Sequence, residues 1–188
     1  MNSQISSGMA RPRPRLAHVA KSIVRFVRAR QAATAVEFGL IAAPFLALLI
    51  AILQTGVVLL AQQVLQTATE QSARLIMTGQ AQTSGWSASQ FQQQVCNHAT
   101  ALFNCSGIYV TVQTFSSFSS VTMTNPVTNG QINTSLLQYT PGGDGDIVVV
   151  QTFYQWPLVL GPLGFNLSNM SGNSLLMVGT AAFRNEPF

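Results

Sequence analysis

The side chains in this sequence that could do chemistry are few and far apart. Beyond residue 30 the acids are Glu37, Glu70, Asp144, Asp146 and Glu186, the single histidine is His98, and the two cysteines are Cys96 and Cys105. General acid–base work needs titratable groups converging on one pocket, and covalent catalysis needs a nucleophile beside a base. No Gly-x-Ser-x-Gly, His-Glu-x-x-His or phosphate-binding loop brings such groups together here. Asp144-Gly145-Asp146 offers two carboxylates, short of the roughly 6–8 oxygens that calcium takes, and inside Pro-Gly-Gly-Asp-Gly-Asp it reads as a turn into a strand. His98 reads as a helix residue on a polar face. These residues imply no catalytic group, metal or cofactor, and the chain reads as a non-enzyme.

Two positions keep a chemical meaning. Glu37 stands in Gln-Ala-Ala-Thr-Ala-Val-Glu-Phe (31–38), where every neighbour from Ala32 on is small or apolar apart from one threonine. A continuous helix would carry its carboxylate to the acyl boundary of a membrane, where a charge needs a partner. Headgroup-level arginines are one source of that partner, and a free α-amine released nearby by proteolysis is the other. Cys96 and Cys105, for their part, would lie about 13 Å apart on one helix, beyond the roughly 7 Å limit between Cα atoms of a disulfide, so a bridge requires the helix to turn near Phe103 or Asn104. Export to an oxidising compartment favours the bridge over a metal site built on the cysteines and His98, since zinc usually takes four ligands and no second pair exists.

The elements around these residues point to a membrane. Only 7% of residues are charged, against about a quarter in an ordinary soluble domain, and 47% are apolar. Seven of the nine basic residues (Arg11, Arg13, Arg15, Lys21, Arg25, Arg28 and Arg30) precede residue 31. The rest of the chain carries two bases against five acids, net −3, so the basicity belongs to a tail and the folded part is no nucleic-acid-binding surface. No charge lies between Glu37 and Glu70. Residues 38–60 are apolar except for Gln54 and Thr55, and at 1.5 Å per residue they reach about 34 Å, enough to cross a hydrocarbon layer of about 30 Å. The basic side stays in the cytoplasm and residues 61–188 are exported. A removable signal peptide is disfavoured, because its apolar region would hold about 7–15 residues and close on a cleavage site.

Residues 57, 61, 64, 65, 68, 72, 75 and 76 recur at helical spacing past the span, Glu70 and Arg74 are placed as an i,i+4 pair, and Gly79 is placed as a cap. The membrane helix therefore continues into the exported part. In the tail, Arg-Pro-Arg-Pro-Arg (11–15) excludes a helix, while Leu16 to Arg28 has an apolar stripe beside basic residues, either a helix on an anionic leaflet or a disordered basic segment that enforces topology.

The string Gln-Ala-Ala-Thr-Ala-Val-Glu-Phe-Gly-Leu-Ile-Ala-Ala-Pro-Phe-Leu-Ala-Leu-Leu (31–49), after a basic cluster and opening a long apolar helix, resembles the amino-terminal signature of the TadE-like family, pseudopilins of the bacterial tight-adherence (Tad) system that assembles Flp-type type IV pili. The two cysteines a short helix apart, the Gly-rich turn into a Val-rich strand and Tyr-Gln-Trp-Pro (154–157), and Phe-Arg-Asn-Glu-Pro-Phe (183–188) are also similar to that family. The resemblance implies a prepilin peptidase cutting on the cytoplasmic side so that a glutamate becomes the fifth residue of the mature chain, which places the cut between Ala32 and Ala33. The chain departs from the pattern in having Ala32 where glycine normally stands, a position where the peptidase must approach the backbone closely. Pro44, inside the span, removes the hydrogen bond to the Leu40 carbonyl, so a kink or local unwinding is expected there, as the resemblance also implies. The resemblance further implies, as partners, membrane lipid, the prepilin peptidase and other Tad pseudopilins or pilus assembly proteins, with oligomerisation through the apolar helix.

In the exported part, Ser87 and Gln90 form a capping-box pattern, Trp86 and Phe91 a hydrophobic staple, and Phe91, Val95, Ala99, Leu102 and Phe103 one apolar face. Three strands are expected: Ile108–Phe115 alternating, Ile147–Trp156 apolar on both faces and ended by Pro157, and Leu175–Phe183 with Leu175, Met177, Ala181 and Phe183 on one side. Residues 116–140 hold either an irregular hairpin at Asn129-Gly130 or a mobile loop, and the apolar loop 157–165 is either packed on its own domain or exposed to a partner. The expected fold is α+β. A basic leader (1–30) precedes a transmembrane helix with its periplasmic continuation (31–79), and a pilin-like head (80–188) carries a second helix and a three- or four-stranded antiparallel sheet. Two functions fit: a bitopic structural component of pilus assembly in the bacterial inner membrane, or a membrane-tethered periplasmic binding or sensing module with an uncleaved anchor. A tethered receptor has no need of Glu37.

Overall fold

The computed structural model describes residues 30–158 and 166–188, so the basic leader up to residue 29 and residues 159–165 of the apolar loop lie outside the described residues. The chain divides into two compact units, one ending at Leu46 and one running from Ala47 to Phe188. Helix α1 (Arg30–Met77) passes through both. In the first unit every side chain from Ala33 to Leu40 is exposed, and Phe38, Leu40 and Ile41 are each more than 70% so. A helix apolar on all sides, with nothing among the described residues packed on it here, is suited to lipid rather than water. Among the described residues α1 is the one helix long and apolar enough to cross a membrane.

In the second unit the character of α1 changes. Ala61, Leu65, Ala68, Ser72 and Ile76 are buried, a stripe at intervals of three and four that matches the spacing expected from sequence. Gly79, at φ 74°, stops the helix and donates to the Ile76 carbonyl at 3.0 Å, a left-handed conformation that glycine adopts without Cβ strain. A short turn, α2 (Gln80–Thr83), leads to α3 (Ala88–Ala99), whose capping box between Ser87 and Gln90 forms as expected and whose Phe91 and Val95 are fully buried. The Glu70–Arg74 pair does not form: Glu70 Oε1 instead accepts from Gln66 Nε2 at 2.6 Å, also one turn away.

The strands are β1 (Ile108–Phe115), β2 (Val127–Thr128), β3 (Gln131–Ile132), β4 (Ile147–Pro157) and β5 (Ser174–Arg184). They make an antiparallel three-stranded sheet in the order β1-β4-β5 and a separate hairpin of β2 and β3. Strand β4 is central, which explains why its first seven residues are buried on both faces. Val148 and Val150 join Ile108, Val110, Val112 and Met177 in the core against α1 and α3. On the opposite face Gln151 Oε1 accepts the backbone N–H of Thr124 at 2.8 Å, so the Ser/Thr/Asn-rich stretch is a strap across the sheet as well as a hairpin, which turns on Asn129 and Gly130, both at positive φ.

Both edges of the sheet are closed. Gln138 and Thr140 exchange backbone hydrogen bonds with Val112 at 2.8 and 2.9 Å on the outer side of β1. On the outer side of β5, Gln66 receives the Thr180 N–H on Oε1 and donates Nε2 to the Thr180 carbonyl, both at 2.9 Å, while Gln62 donates to the Val178 carbonyl at 2.8 Å. Two side-chain amides one turn apart on α1 thus stand in for a neighbouring strand, satisfying an edge that otherwise invites aggregation.

Cys96 and Cys105 are bridged with their Cα atoms 5.4 Å apart. The regular helix ends at Ala99, one further turn follows in which Leu102 and Phe103 both donate to the Ala99 carbonyl, and the chain goes extended at Asn104, the turn near Phe103 or Asn104 that the bridge requires. A double Cys96→Ser, Cys105→Ser variant should lose about 2–3 kcal/mol of loop-closure stabilisation, lowering the melting temperature by roughly 5–10 °C in a domain of this size; circular dichroism of the full chain in detergent measures it.

Tyr139 packs its ring 5.9 Å from that of Phe91, but its hydroxyl is buried without a hydrogen-bond partner. Burial raises its pKa above the ordinary value of 10.0, because the charged phenolate would lose solvation. A group whose folded pKa is raised contributes its stability below the unfolded pKa and loses it as pH rises through the folded one. The head should therefore weaken above about pH 10. Tyr139→Phe should remove that alkaline step in a pH series of melting curves, and at pH 7 be neutral or stabilising by up to about 1 kcal/mol, since it deletes an unsatisfied buried hydroxyl.

Candidate functional site along the apolar helix

The residues singled out in the sequence fall into two groups, kept apart by the fold. Ala32, Ala33, Glu37 and Pro44 belong to the unit ending at Leu46. The Ala32–Ala33 peptide bond lies within α1, near the first of the described residues. Ala33 and Glu37 are four residues apart and share a helix face, about 6 Å apart along the axis. Glu37 is exposed and has no ion-pair partner among the described residues. Any counter-charge that its carboxylate needs in an apolar medium must come from another source.

Pro44 has no N–H, so the Leu40 carbonyl lacks its usual donor. Pro44 lies inside α1, which continues on both sides of it.

The second group belongs to the head. Asp146 Oδ2 accepts the Gly143 N–H at 2.8 Å inside the Pro-Gly-Gly-Asp-Gly-Asp turn, and Asp144 Oδ1 accepts the Phe188 N–H at 3.3 Å. Arg184 Nε donates to the Gly145 carbonyl at 2.7 Å, and the buried Asn185 amide donates to the carbonyls of Pro141 and Gly143, both at 3.0 Å. The Gly-rich turn and the Phe-Arg-Asn-Glu-Pro-Phe segment therefore clamp one another. Glu186 ties that clamp to α1 through the Met77 carbonyl at 2.9 Å, and the Phe188 ring covers Gly79. The acids that looked like potential metal ligands are spent on backbone hydrogen bonds, and no group of three or more His, Cys, Asp or Glu gathers among the described residues.

His98 shares a groove of about 360 Å³ with Arg74, Gln71, Thr78 and Gln80. No acid or thiol lines it, so it lacks the paired donor and acceptor that acid–base work requires. What sequence reasoning missed is structural: the edge-closing role of Gln62 and Gln66, and Gly179, where α1 crosses β5. A glycine inside a strand is the one signal that could have pointed to that close approach.

Similarity to known proteins is confined to one segment. Residues 32–74 match the model of the TadE-like protein family. No curated protein and no solved structure matches the chain. The matched segment opens at Ala32 and closes at Arg74, inside α1, so it takes in Glu37, Pro44 and the edge-closing glutamines but neither the cysteines nor the clamp.

Proposed function

From the TadE-like segment at residues 32–74 we infer that the chain is a bitopic, pseudopilin-like structural component of Tad (Flp-type) pilus assembly and secretion, and not an enzyme. In this reading α1 crosses the bacterial inner membrane with its basic leader in the cytoplasm and its head in the periplasm. A prepilin peptidase cuts between Ala32 and Ala33, and the mature helix associates side by side with other pseudopilins or assembly proteins. The observation that carries the reading is the coincidence of the family match with one continuous helix that presents Glu37 at its exposed end and core residues for the head at the other.

Intact mass of the protein from cells with and without the cognate peptidase tests processing. The mature chain is expected to begin at Ala33, and Ala32→Trp, which crowds the position where the enzyme needs the backbone bare, should leave at least about nine-tenths of the protein full length. Functional protein that still begins at Met1 would remove cleavage from the mechanism.

A further inference from the structure

The charges of the exported part are all at one end of the head. Strand β4 begins next to Asp144 and Asp146, with Ile147 paired to Arg184, and ends at Trp156 and Pro157, paired to Leu175 and Ser174. Helix α1 runs beside it in the opposite sense, since Met77 meets Glu186 while Val57 and Val58 lie next to Trp156 and Leu158. Glu70, Arg74 and His98 lie on the same end as the clamp. From Val58 up to Glu70, about 18 Å of helix, the head carries no charged side chain.

At the uncharged end a mostly apolar groove of about 370 Å³ opens between α1 and the end of β4, lined by Ile50, Leu53, Gln54, Val57 and Val58 of the helix and by Trp156, Pro157 and Leu158. Ile50, Leu53 and Val57 belong to the uncharged run 38–60 that a bilayer would hold, and remain about half exposed or more, at 47, 61 and 49%. Trp156 completes an aromatic cluster, its ring 5.6 Å from Phe103 and 6.2 Å from Tyr154. Tryptophan and tyrosine, apolar bodies with one polar atom, are the side chains that collect at the boundary between acyl chains and headgroups.

We propose that the head does not stand clear of the membrane but is sunk by its uncharged end into the outer leaflet, with lipid acyl chains filling the groove between α1 and the end of β4 and Trp156 at the headgroup boundary. The proposal rests on the reading of α1 as a membrane span. Its physical basis is continuity: the groove shares five residues with the span, so any depth that covers residues 38–60 with acyl chains also brings Trp156, Pro157 and Leu158 among them. A water-exposed groove would leave that largely apolar wall hydrated, with Gln54 the one amide side chain in its lining.

The test uses the full chain in phosphatidylcholine vesicles whose acyl chains carry bromine near the headgroup end. The protein has two tryptophans, and Trp86, just beyond α2 on the charged side, lies out of bromine's reach. The unmodified chain should lose up to about half of its tryptophan emission to the brominated lipid, the share of one of the two, and be protected from aqueous iodide to the same extent. Trp156→Phe should abolish the bromine quenching. No quenching in the unmodified protein, with Trp156 open to iodide, overturns the proposal. So does protection from iodide without bromine quenching that disappears as protein is diluted in lipid, which would identify a second copy of the chain as the occupant. An alkaline carbonate wash separates the two failures. Protein retained in the vesicles but unquenched contradicts only the sunken head, whereas protein washed off contradicts the span as well.

Discussion

Gly179→Val is expected to cost the head about 3 kcal/mol or more, a fall of roughly 10 °C in melting temperature. The reason is the crossing of α1 over β5. A Cβ at residue 179 would meet the Leu65 carbonyl oxygen at 3.1 Å, and the Thr69 side chain closer still. Neither can yield cheaply. Leu65 and Thr69 are fully buried, and the Thr69 hydroxyl donates to that same Leu65 carbonyl at 2.7 Å, which fixes its rotamer. Nor can β5 retreat, because it is paired with β4 along one side and held by Gln62 and Gln66 along the other. The helix must therefore lift off the sheet, opening the contact between the α1 stripe and the core. Gly179→Ala should act in the same direction but less, and Thr69→Ala should recover part of the Gly179→Ala loss, a coupling that a double-mutant cycle on melting curves would read. An unchanged melting temperature in Gly179→Val would show that α1 is not held against β5 as described.

Which parts of this architecture could be read from the sequence depends on how local their causes are. The stripe of Ala61, Leu65, Ala68, Ser72 and Ile76, the box at Ser87 and Gln90, and the three strands depend on period and on residues within one turn, so each stood in the sequence near its final bounds. Strand order is different. That β4 lies between β1 and β5 depends on long-range closure, and only the double-sided apolarity of Ile147–Phe153 hinted at it. The strap was legible only as an ambiguous polar stretch, since its ordering comes from Thr124 reaching Gln151 and from Gln138 and Thr140 reaching Val112, contacts between residues far apart in sequence. Gln62 and Gln66 looked like ordinary polar positions, because a glutamine that replaces a strand's hydrogen bonds has no distinguishing pattern of its own. At the candidate site, by contrast, an isolated carboxylate opening an uncharged run is visible in the sequence directly, and the fold adds that it is exposed and unpaired among the described residues.

That isolation is the ground for expecting Glu37→Gln to reduce lateral association on the order of 10²–10³-fold while leaving membrane insertion intact. Under the proposed function, a cut at Ala33 creates an amine about one helical turn from the subunit's own Glu37. The amine and carboxylate can then pair between neighbouring subunits as easily as within one, and in the apolar medium the pair offsets the burial of both charges. Removing the carboxylate leaves a buried amine unpaired, a loss of about 3–5 kcal/mol in comparable buried pairs, whereas insertion depends on the hydrophobic run from residue 38 onward and is unaffected by an amide at its edge. Membrane-fraction yield reads insertion, and site-specific crosslinking along α1 reads association. The uncleaved Ala32→Trp chain supplies the decisive comparison, because it has no amine at residue 33 for Glu37 to meet. In that background Glu37→Gln should produce no further loss, and the two substitutions should fail to add. Additive losses, or unchanged association in Glu37→Gln alone, would instead place the carboxylate at the headgroup level, neutralised there and with no part in holding subunits together.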